Sequence, residues 1–316
     1  MNSYAVSVII ATFNPIWDDL KATLISIVKQ IDVHFEIIIA DDGSKNNIKR
    51  EVDTFFDILE FSDYKYIYSN VNRGTVINFL SAVEKCDGKY IKIIGQDDLL
   101  HSRDTLKHLY LYAMKNQLVG IAGNIQCFKK VEQEIYLVSH RAQPQNIKMF
   151  RDKEEIKLQT IICEDYINGA SVFYERNVFE KYLKLIEHKI LLCEDMIFRL
   201  MVLDECELGF YDKPVIYYSV GTGISSGGQT NPVLKYDLLS YEKMVYEKVN
   251  NHRFRRVIKA RLKMLEKDNK FNTFCWLFSN NKVFYTWLRN KYSPAMTDSV
   301  VYNNYLFECI AEGSAI

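Results

Sequence analysis

VSVIIA, at residues 6–11, is an unbroken run of small and β-branched apolar side chains. Such a run suits a strand buried on both faces, as in a parallel sheet, better than the in–out alternation of a half-exposed strand. Thr12-Phe13-Asn14-Pro15 breaks it. Over residues 16–31 the apolar side chains Ile16, Trp17, Leu20, Leu24, Ile27, Val28 and Ile31 return at helical spacing. FEIIIA, at residues 35–40, is a second buried strand, closed by Asp41-Asp42-Gly43-Ser44. A strand, a helix and a strand in this order form a right-handed crossover between parallel neighbours.

The rhythm continues outward from this unit. Residues 64–68 read as a third strand, Asn72-Arg73-Gly74 as a turn, and residues 75–86 as an amphipathic helix. Asp87-Gly88 makes another turn before a strand at 90–94, which runs into Gly95-Gln96-Asp97-Asp98. Alternating strands and helices predict an α/β domain with a doubly wound, mostly parallel sheet. In such sheets ligands bind beyond the carboxyl ends of the strands. Thr12 to Asn14, Asp41-Asp42 and Asp97-Asp98 all fall at those ends, so they are expected to face one cleft. Residues 118–173 should hold further strands and a long loop at about 141–157. NGASVFY, at 168–174, reads as a turn into a strand, 175–189 and 194–203 as helices, and 215–220 as a last strand. The glycine-rich stretch 221–228 reads as a mobile loop, with the sharper possibility of a lid over a ligand. The expected division is a catalytic domain at 1–225 and a mainly helical region at 226–316.

The chain has 316 residues with 40 basic and 40 acidic side chains, so no net charge draws it to nucleic acid. Its seven cysteines are odd in number and form no Cys-x-x-Cys motif, which points to reduced thiols and a cytoplasmic setting. The N-terminus has no basic leader before its first strand, and no stretch approaches the ~18 apolar residues of a membrane span. Contact with a membrane would therefore be peripheral, at the inner face.

Three acidic groups could carry chemistry. Asp97-Asp98 at a strand end suits a hard divalent cation, Mn2+ or Mg2+, shared with a diphosphate. Asp41-Asp42 could accept hydrogen bonds from a base edge or from ribose hydroxyls, and Phe13 could stack on a base. Glu194-Asp195 opens a helix and could supply a general base for a hydroxyl. Taken singly, each acidic pair is equally a capped turn or a favourable charge at a helix start. Glu164-Asp165 competes for the role of base but precedes a strand-like segment.

The ordered set decides the reading. VSVIIATFNP, EIIIADDGS, NRG followed by Asn78, GKYIKIIGQDD, NGASVFYERNVFEK and CEDMIFRL span roughly residues 5–220. With these motifs the chain resembles the family 2 glycosyltransferases of the GT-A fold, particularly bacterial enzymes of O-antigen and capsular polysaccharide synthesis. The resemblance implies an inverting transfer of a hexose or N-acetylhexosamine from a nucleotide-sugar, UDP-linked by preference, to an acceptor hydroxyl on a saccharide or lipid-pyrophosphate-linked saccharide. It implies that Thr12, Phe13 and Asn14 line the nucleotide pocket and that Asp42, helped by Asp41, meets uracil or ribose. Asn72, Gly74 and Asn78 would form the donor-side wall. Asp97 would lie near ribose and diphosphate, Asp98 would ligate the metal with Asp97, and Asp195 would be the catalytic base with Glu194 beside it. The family's acidic motif often reads Asp-x-Asp-Asp. Here its first position is Gly95, which removes one carboxylate from the metal site.

Residues 252–292 hold eleven Lys or Arg against Glu266 and Asp268, interleaved with Trp276, Phe278, Phe284, Tyr285 and Trp287. They read either as a helical subdomain with a solvated basic face or as a patch for anionic lipid. A Rossmann dehydrogenase is excluded, because no Gly-x-Gly-x-x-Gly follows the first strand. The rival from another class is a catalytically silent donor-binding partner of a polysaccharide assembly, for which Gly95 argues and Asp97, Asp98 and Asp195 argue against.

Overall fold

The computed structural model describes residues 4–131, 134–138, 144, 146–165, 167–221, 231–292 and 304–316. Its first half alternates strands and helices: β1 (Val6–Thr12), α1 (Trp17–Val28), β2 (Phe35–Asp41), α2 (Lys49–Ile58), β3 (Tyr64–Tyr68), α3 (Thr75–Val83) and β4 (Tyr90–Gly95). Then come β5 (Leu99–Leu100), α4 (Thr105–Asn116), β6 (Gly120–Val131), β7 (Glu134–Val138), α5 (Lys153–Lys157), β8 (Phe173–Glu175), α6 (Arg176–Ile186), α7 (Ile197–Leu203) and β9 (Leu208–Ser219). The last helices are α8 (Pro232–Lys248), α9 (His252–Glu266), α10 (Lys270–Leu277), α11 (Asn281–Tyr292) and α12 (Tyr305–Ala315).

One sheet runs in the order β3-β2-β1-β4-β8-β6-β9-β5, with β7 beside β6. The first four strands are parallel, β8 is antiparallel to both neighbours, and β6 is parallel to β9. The apolar runs are unbroken because both faces are covered. In β1, Val6, Val8 and Ile10 join one core while Ile9 joins the other, and in β2 Ile37 and Ile39 part from Ile38 in the same way. α1, α2 and α4 cover one face, and α3, α6 and α7 the other.

Helix starts follow local chemistry. Asn231, Asn251 and Asn269 cap α8, α9 and α10 with side-chain oxygens that accept backbone N–H bonds. Part of the expected loop at 141–157 is helical: a 3-10 turn at Ile147–Arg151 precedes α5, whose Asp152 cap accepts from Glu155 N at 2.7 Å, and Met149 and Ile156 are buried. The expected strand at 215–220 is the end of the longer β9. That strand accommodates Pro214 where its register with β6 slips, an irregularity that removes the need for a ladder N–H. Of the expected glycine-rich loop, all but Gly221 lies outside the described residues.

The helices after β9 divide between the two faces. Tyr241 of α8 and Val257 and Ile258 of α9 enter the core with α7, whereas Tyr305, Leu306 and Cys309 of α12 pack under α1. Tyr305 OH donates to Ser26 O at 2.8 Å, and Gly313 lets the two helices close to a distance at which a Cβ would sit 3.0 Å from Ala22 N.

Candidate active site

Strand register gathers the predicted residues. Thr12 pairs with Asp41, Asp41 with Tyr68, and Ala11 with Gly95, so three turns leave the sheet side by side at its carboxyl end. Hydrogen bonds tie these turns together. Phe13 N donates to Gln96 Oε1 at 2.9 Å, Asn14 N to Ser44 Oγ at 2.7 Å, and Asp42 N to Thr12 O at 2.9 Å. Asn14 occupies the left-handed region at φ 46°, and its Oδ1 accepts from Lys45 N at 2.9 Å. Phe13, bonded through its backbone to Gln96, is 46% exposed.

The neighbouring aspartates do different work. Asp41 is buried, with Oδ1 accepting from Ser44 N at 2.8 Å and Oδ2 from Tyr66 OH at 2.9 Å. Each of its oxygens thus already accepts one hydrogen bond from within the fold. Asp42 Oδ1 accepts from Arg73 N at 2.9 Å and Oδ2 from Gly74 N at 2.8 Å. Burial raises its pKa above the usual carboxylate value, and these two N–H groups oppose the rise. Asp42 therefore shapes the Asn72-Arg73-Gly74 turn. Asn72 is exposed, and its Oδ1 accepts from Gly74 N at 3.1 Å. Gly74 has φ 89° and no room for a side chain, since a Cβ would lie 2.8 Å from Leu191 O. Asn78, expected on the donor-side wall, is buried, and its Nδ2 donates to Ala40 O at 2.8 Å, joining α3 to the end of β2.

Asp97 and Asp98 converge on Gly95. A Cβ there would stand 3.0 Å from Asp98 Oδ2 and 3.4 Å from Asp97 Oδ1. The missing side chain is thus matched by two carboxylate oxygens turned into its space. Asp98 Oδ1 accepts from Ser219 N at 2.9 Å. Burial first, then the Asp97 charge, raises the Asp98 carboxyl to about 7. Among the described residues no group of three or more His, Cys, Asp or Glu could hold a metal alone. Two mutually repelling carboxylates, Asp98 buried and Asp97 half-buried, nevertheless fit a hard cation that draws its other ligands from a diphosphate. Behind them lies Lys92 of β4, fully buried, whose Nζ donates to Val172 O at 3.4 Å and to Ala170 O. Burial lowers it to about 7 against the pull of Asp98.

Glu194 and Asp195 occupy a 3-10 turn at the start of α7 and retain some solvent exposure. Burial raises both carboxyls. The Asp195 charge and then Asp237 add to the rise at Glu194, while Arg199 opposes it at Asp195. Gly169, from the NGAS segment, packs directly on Asp195. The next residue is Ala170, whose carbonyl receives Lys92 Nζ, so the base candidate and the Asp97-Asp98 turn share a support. Leu191 O accepts from Val76 N at 3.1 Å, joining the approach to Glu194 to the Gly74 turn. The competing Glu164-Asp165 is committed elsewhere: Glu164 lies 3.3 Å from Arg261 Nε, and buried Asp165 accepts from Asn146 N and faces Arg289 at 3.5 Å.

Sequence reasoning missed Lys92, Leu191 and Asp237. Lys92 sits inside a quoted motif, where a lone lysine in an apolar strand was a usable signal. Leu191 and Asp237 gave none, because their importance lies in partners distant in the chain.

The curled, mostly parallel sheet with its ligand turns at one end and helices appended after it is a GT-A fold. Residues 7–183, more than half of the chain, match the family described as Glycosyl transferase family 2, and the protein belongs to that family. It is 29% identical over 188 residues to the uncharacterized glycosyltransferase MG060 of Mycoplasma genitalium, covering 58% of this chain and 59% of that protein. It is also similar to the Escherichia coli UDP-Glc:alpha-D-GlcNAc-diphosphoundecaprenol beta-1,3-glucosyltransferase WfgD, 27% identical over 128 residues, 40% of this chain and 47% of that protein. The chain thus spans less than two thirds of the length of either relative. The mannosyltransferase PcManGT from Pyrobaculum calidifontis, in complex with GDP-Man and Mn2+, has the same fold at a TM-score of 0.58 and 12% identity, covering 99% of this chain and 86% of that one.

Proposed function

We propose that this chain is an inverting glycosyltransferase that moves a hexose or N-acetylhexosamine from a UDP-sugar to a hydroxyl of a lipid-pyrophosphate-linked saccharide in bacterial surface polysaccharide synthesis. The observation that carries the reading is the convergence of two carboxylate centres, Asp97-Asp98 and Glu194-Asp195, on shared supports at one end of the sheet. Phe13, Thr12 and Asn14 line the nucleotide pocket in this reading, and Asp42 holds the wall that carries Asn72 and Gly74 through the backbone N–H groups of Arg73 and Gly74. Mn2+ or Mg2+, held by Asp98 and Asp97 together with the donor diphosphate, would offset the charge that grows on the leaving group. Asp195, with Glu194 beside it, accepts the proton of the acceptor hydroxyl while that oxygen bonds to the anomeric carbon and the bond to the diphosphate breaks. UDP is favoured by the UDP-Glc donor for which the similar glucosyltransferase is named, and a divalent metal by the Mn2+ complex of a protein of the same fold.

In this proposal residues 1–225 are the catalytic domain and 226–316 a helical region that meets acceptor or membrane at the cytoplasmic face. Phe271, Phe274, Phe278 and Tyr285 are 73%, 58%, 56% and 66% exposed and adjoin Lys270 and Lys282. The Phe274 and Phe278 rings lie 4.4 Å apart, so part of this apolar surface is continuous. Aromatic side chains beside lysines match an anionic interface. No helix of the described residues is long and apolar enough to cross a membrane. Binding to vesicles should rise with their phosphatidylglycerol content and fall when Phe274 and Phe278 become Ser. Equal binding to neutral vesicles would remove the membrane role.

Gly95 and the two-carboxylate metal site favour one alternative, a silent donor-binding partner. A thermal-shift panel of UDP, GDP and dTDP with and without Mn2+ identifies the nucleotide. Release of UDP from UDP-glucose, UDP-galactose or UDP-N-acetylglucosamine then separates enzyme from binder. Stabilisation with no nucleotide release from any donor, with or without acceptor, would select the silent partner.

A further inference from the structure

Three consecutive backbone N–H groups meet one buried carboxylate. Leu191 N donates to Asp237 Oδ1 at 2.9 Å, and Leu192 N and Cys193 N donate to Asp237 Oδ2 at 2.7 and 3.1 Å. Asp237 lies in α8, outside the stretch that matches the family, and has no solvent exposure. The three donors come immediately before Glu194 and Asp195. On its other side the same segment carries Leu191 O, which accepts from Val76 N and stands over Gly74, itself held by Asp42. Glu242, also in α8, reaches past the base candidate. Its Oε1 is 3.7 Å from Arg199 Nη2, one helical turn after Asp195, and its Oε2 accepts from Arg261 Nη2 at 2.6 Å.

A carboxylate that accepts three N–H bonds in a dry setting holds its donors firmly. The segment it holds has no regular structure of its own to fix it. We propose that Asp237 is a positioning residue of the reaction, clamping residues 191–193 so that Asp195 is held at a set place relative to the Asp42–Gly74 wall. The proposal rests on the reading of Asp195 as the base. It also means that the helical region takes part in catalysis without touching substrate.

The test uses the full chain with Asp237→Asn, Asp237→Ser and Asp195→Asn, following UDP release from the fastest of the three UDP-sugars with Mn2+. In Asp237→Asn an amide nitrogen replaces one acceptor and faces at least one of the three N–H groups. Asp237→Ser, smaller and able to accept one N–H bond, serves if the first variant does not fold. Hydrogen exchange at the amides of 191–193 should quicken by about tenfold or more, with the sheet amides unchanged. Turnover should fall by about a hundredfold, as for a reacting group misplaced by ~1 Å, while the donor KM stays near the wild-type value. A further readout is the acid limb of kcat. The charged groups facing Glu194 and Asp195 are Asp237 from α8 and Arg199 from α7, with Tyr174 of β8 and Cys193 as neutral titratable neighbours. Removing the Asp237 charge should move that limb to lower pH. Unchanged exchange at 191–193 overturns the clamp, and faster exchange with unchanged turnover overturns its part in catalysis. Wild-type turnover in Asp195→Asn removes the base assignment itself, a result that the Asp237 variants cannot produce.

Discussion

Gly169 stands against Asp195 so closely that a Cβ at position 169 would lie 2.7 Å from Asp195 Cβ and 3.4 Å from its Oδ2. An added methyl group must therefore push the carboxylate aside or move the NGAS segment, which also receives Lys92 through Ala170. Gly169→Ala should lower kcat by roughly ten- to a hundredfold. The fold should lose only about 1–3 kcal/mol, the usual cost of a tight insertion. Kinetics and urea unfolding on the same preparation check both, and wild-type kcat would show that Asp195 is not held by this contact.

Asp195→Asn keeps the shape and removes the proton acceptor. Turnover should drop by about 10²–10⁴, the span of general-base assistance, with UDP affinity retained. Isothermal titration of UDP with Mn2+ beside single-turnover kinetics separates the two. Near-normal turnover would return attention to Glu194.

Asp98 has a signed pH dependence. Its folded-state value, about 7, lies above its ordinary 3.8, so the unfolded chain gives up this proton first as pH rises. The metal-free protein should therefore lose stability from this group between those values. Asp98→Asn should become progressively more stable than wild type over that window in EDTA, as read by Tm. Lys92 acts above it: lowered to about 7 from 10.5, it makes the unfolded chain the stronger proton binder, so its contribution to stability rises with pH there. Because a cation needs the ionised carboxylate, Mn2+-dependent UDP binding should strengthen as pH rises through 7 in wild type and lose most of its metal dependence in Asp98→Ala.

Arg261 and Glu242 are buried partners, with Arg199 on the other Glu242 oxygen. Glu242→Gln removes the carboxylate that Arg261 and Arg199 share, leaving Glu164 as the acidic neighbour of Arg261, and should destabilise the chain by about 3–5 kcal/mol. Urea midpoints measure this. Replacing Tyr305 by Phe removes a buried hydrogen bond between α12 and α1 and should cost about 1 kcal/mol. An unchanged midpoint would show that the bond adds nothing net to the fold.

The strands β1, β2, β3 and β4, the crossover between the first two, and the placing of three polar turns at one sheet end were all legible in the sequence. Each rests on short-range periodicity, and an unbroken apolar run such as VSVIIA has few other uses. The helices α2 and α4 were not read. In α2 only Val52, Phe55 and Phe56 are buried, so its apolar stripe is thin against a charged background. Which groups hold each carboxylate was not written in the motifs. Asp41 and Asp42 are adjacent and chemically alike, and only the arrival of Tyr66 from β3 and of the Arg73-Gly74 turn gives them different tasks. The base candidate was visible as Glu194-Asp195, but its supports, Gly169 on one side and Asp237 from α8 on another, were decided in three dimensions. Periodicity is a local property of the chain, whereas the partners of a buried carboxylate are chosen by whichever distant segments the packing brings within hydrogen-bond reach.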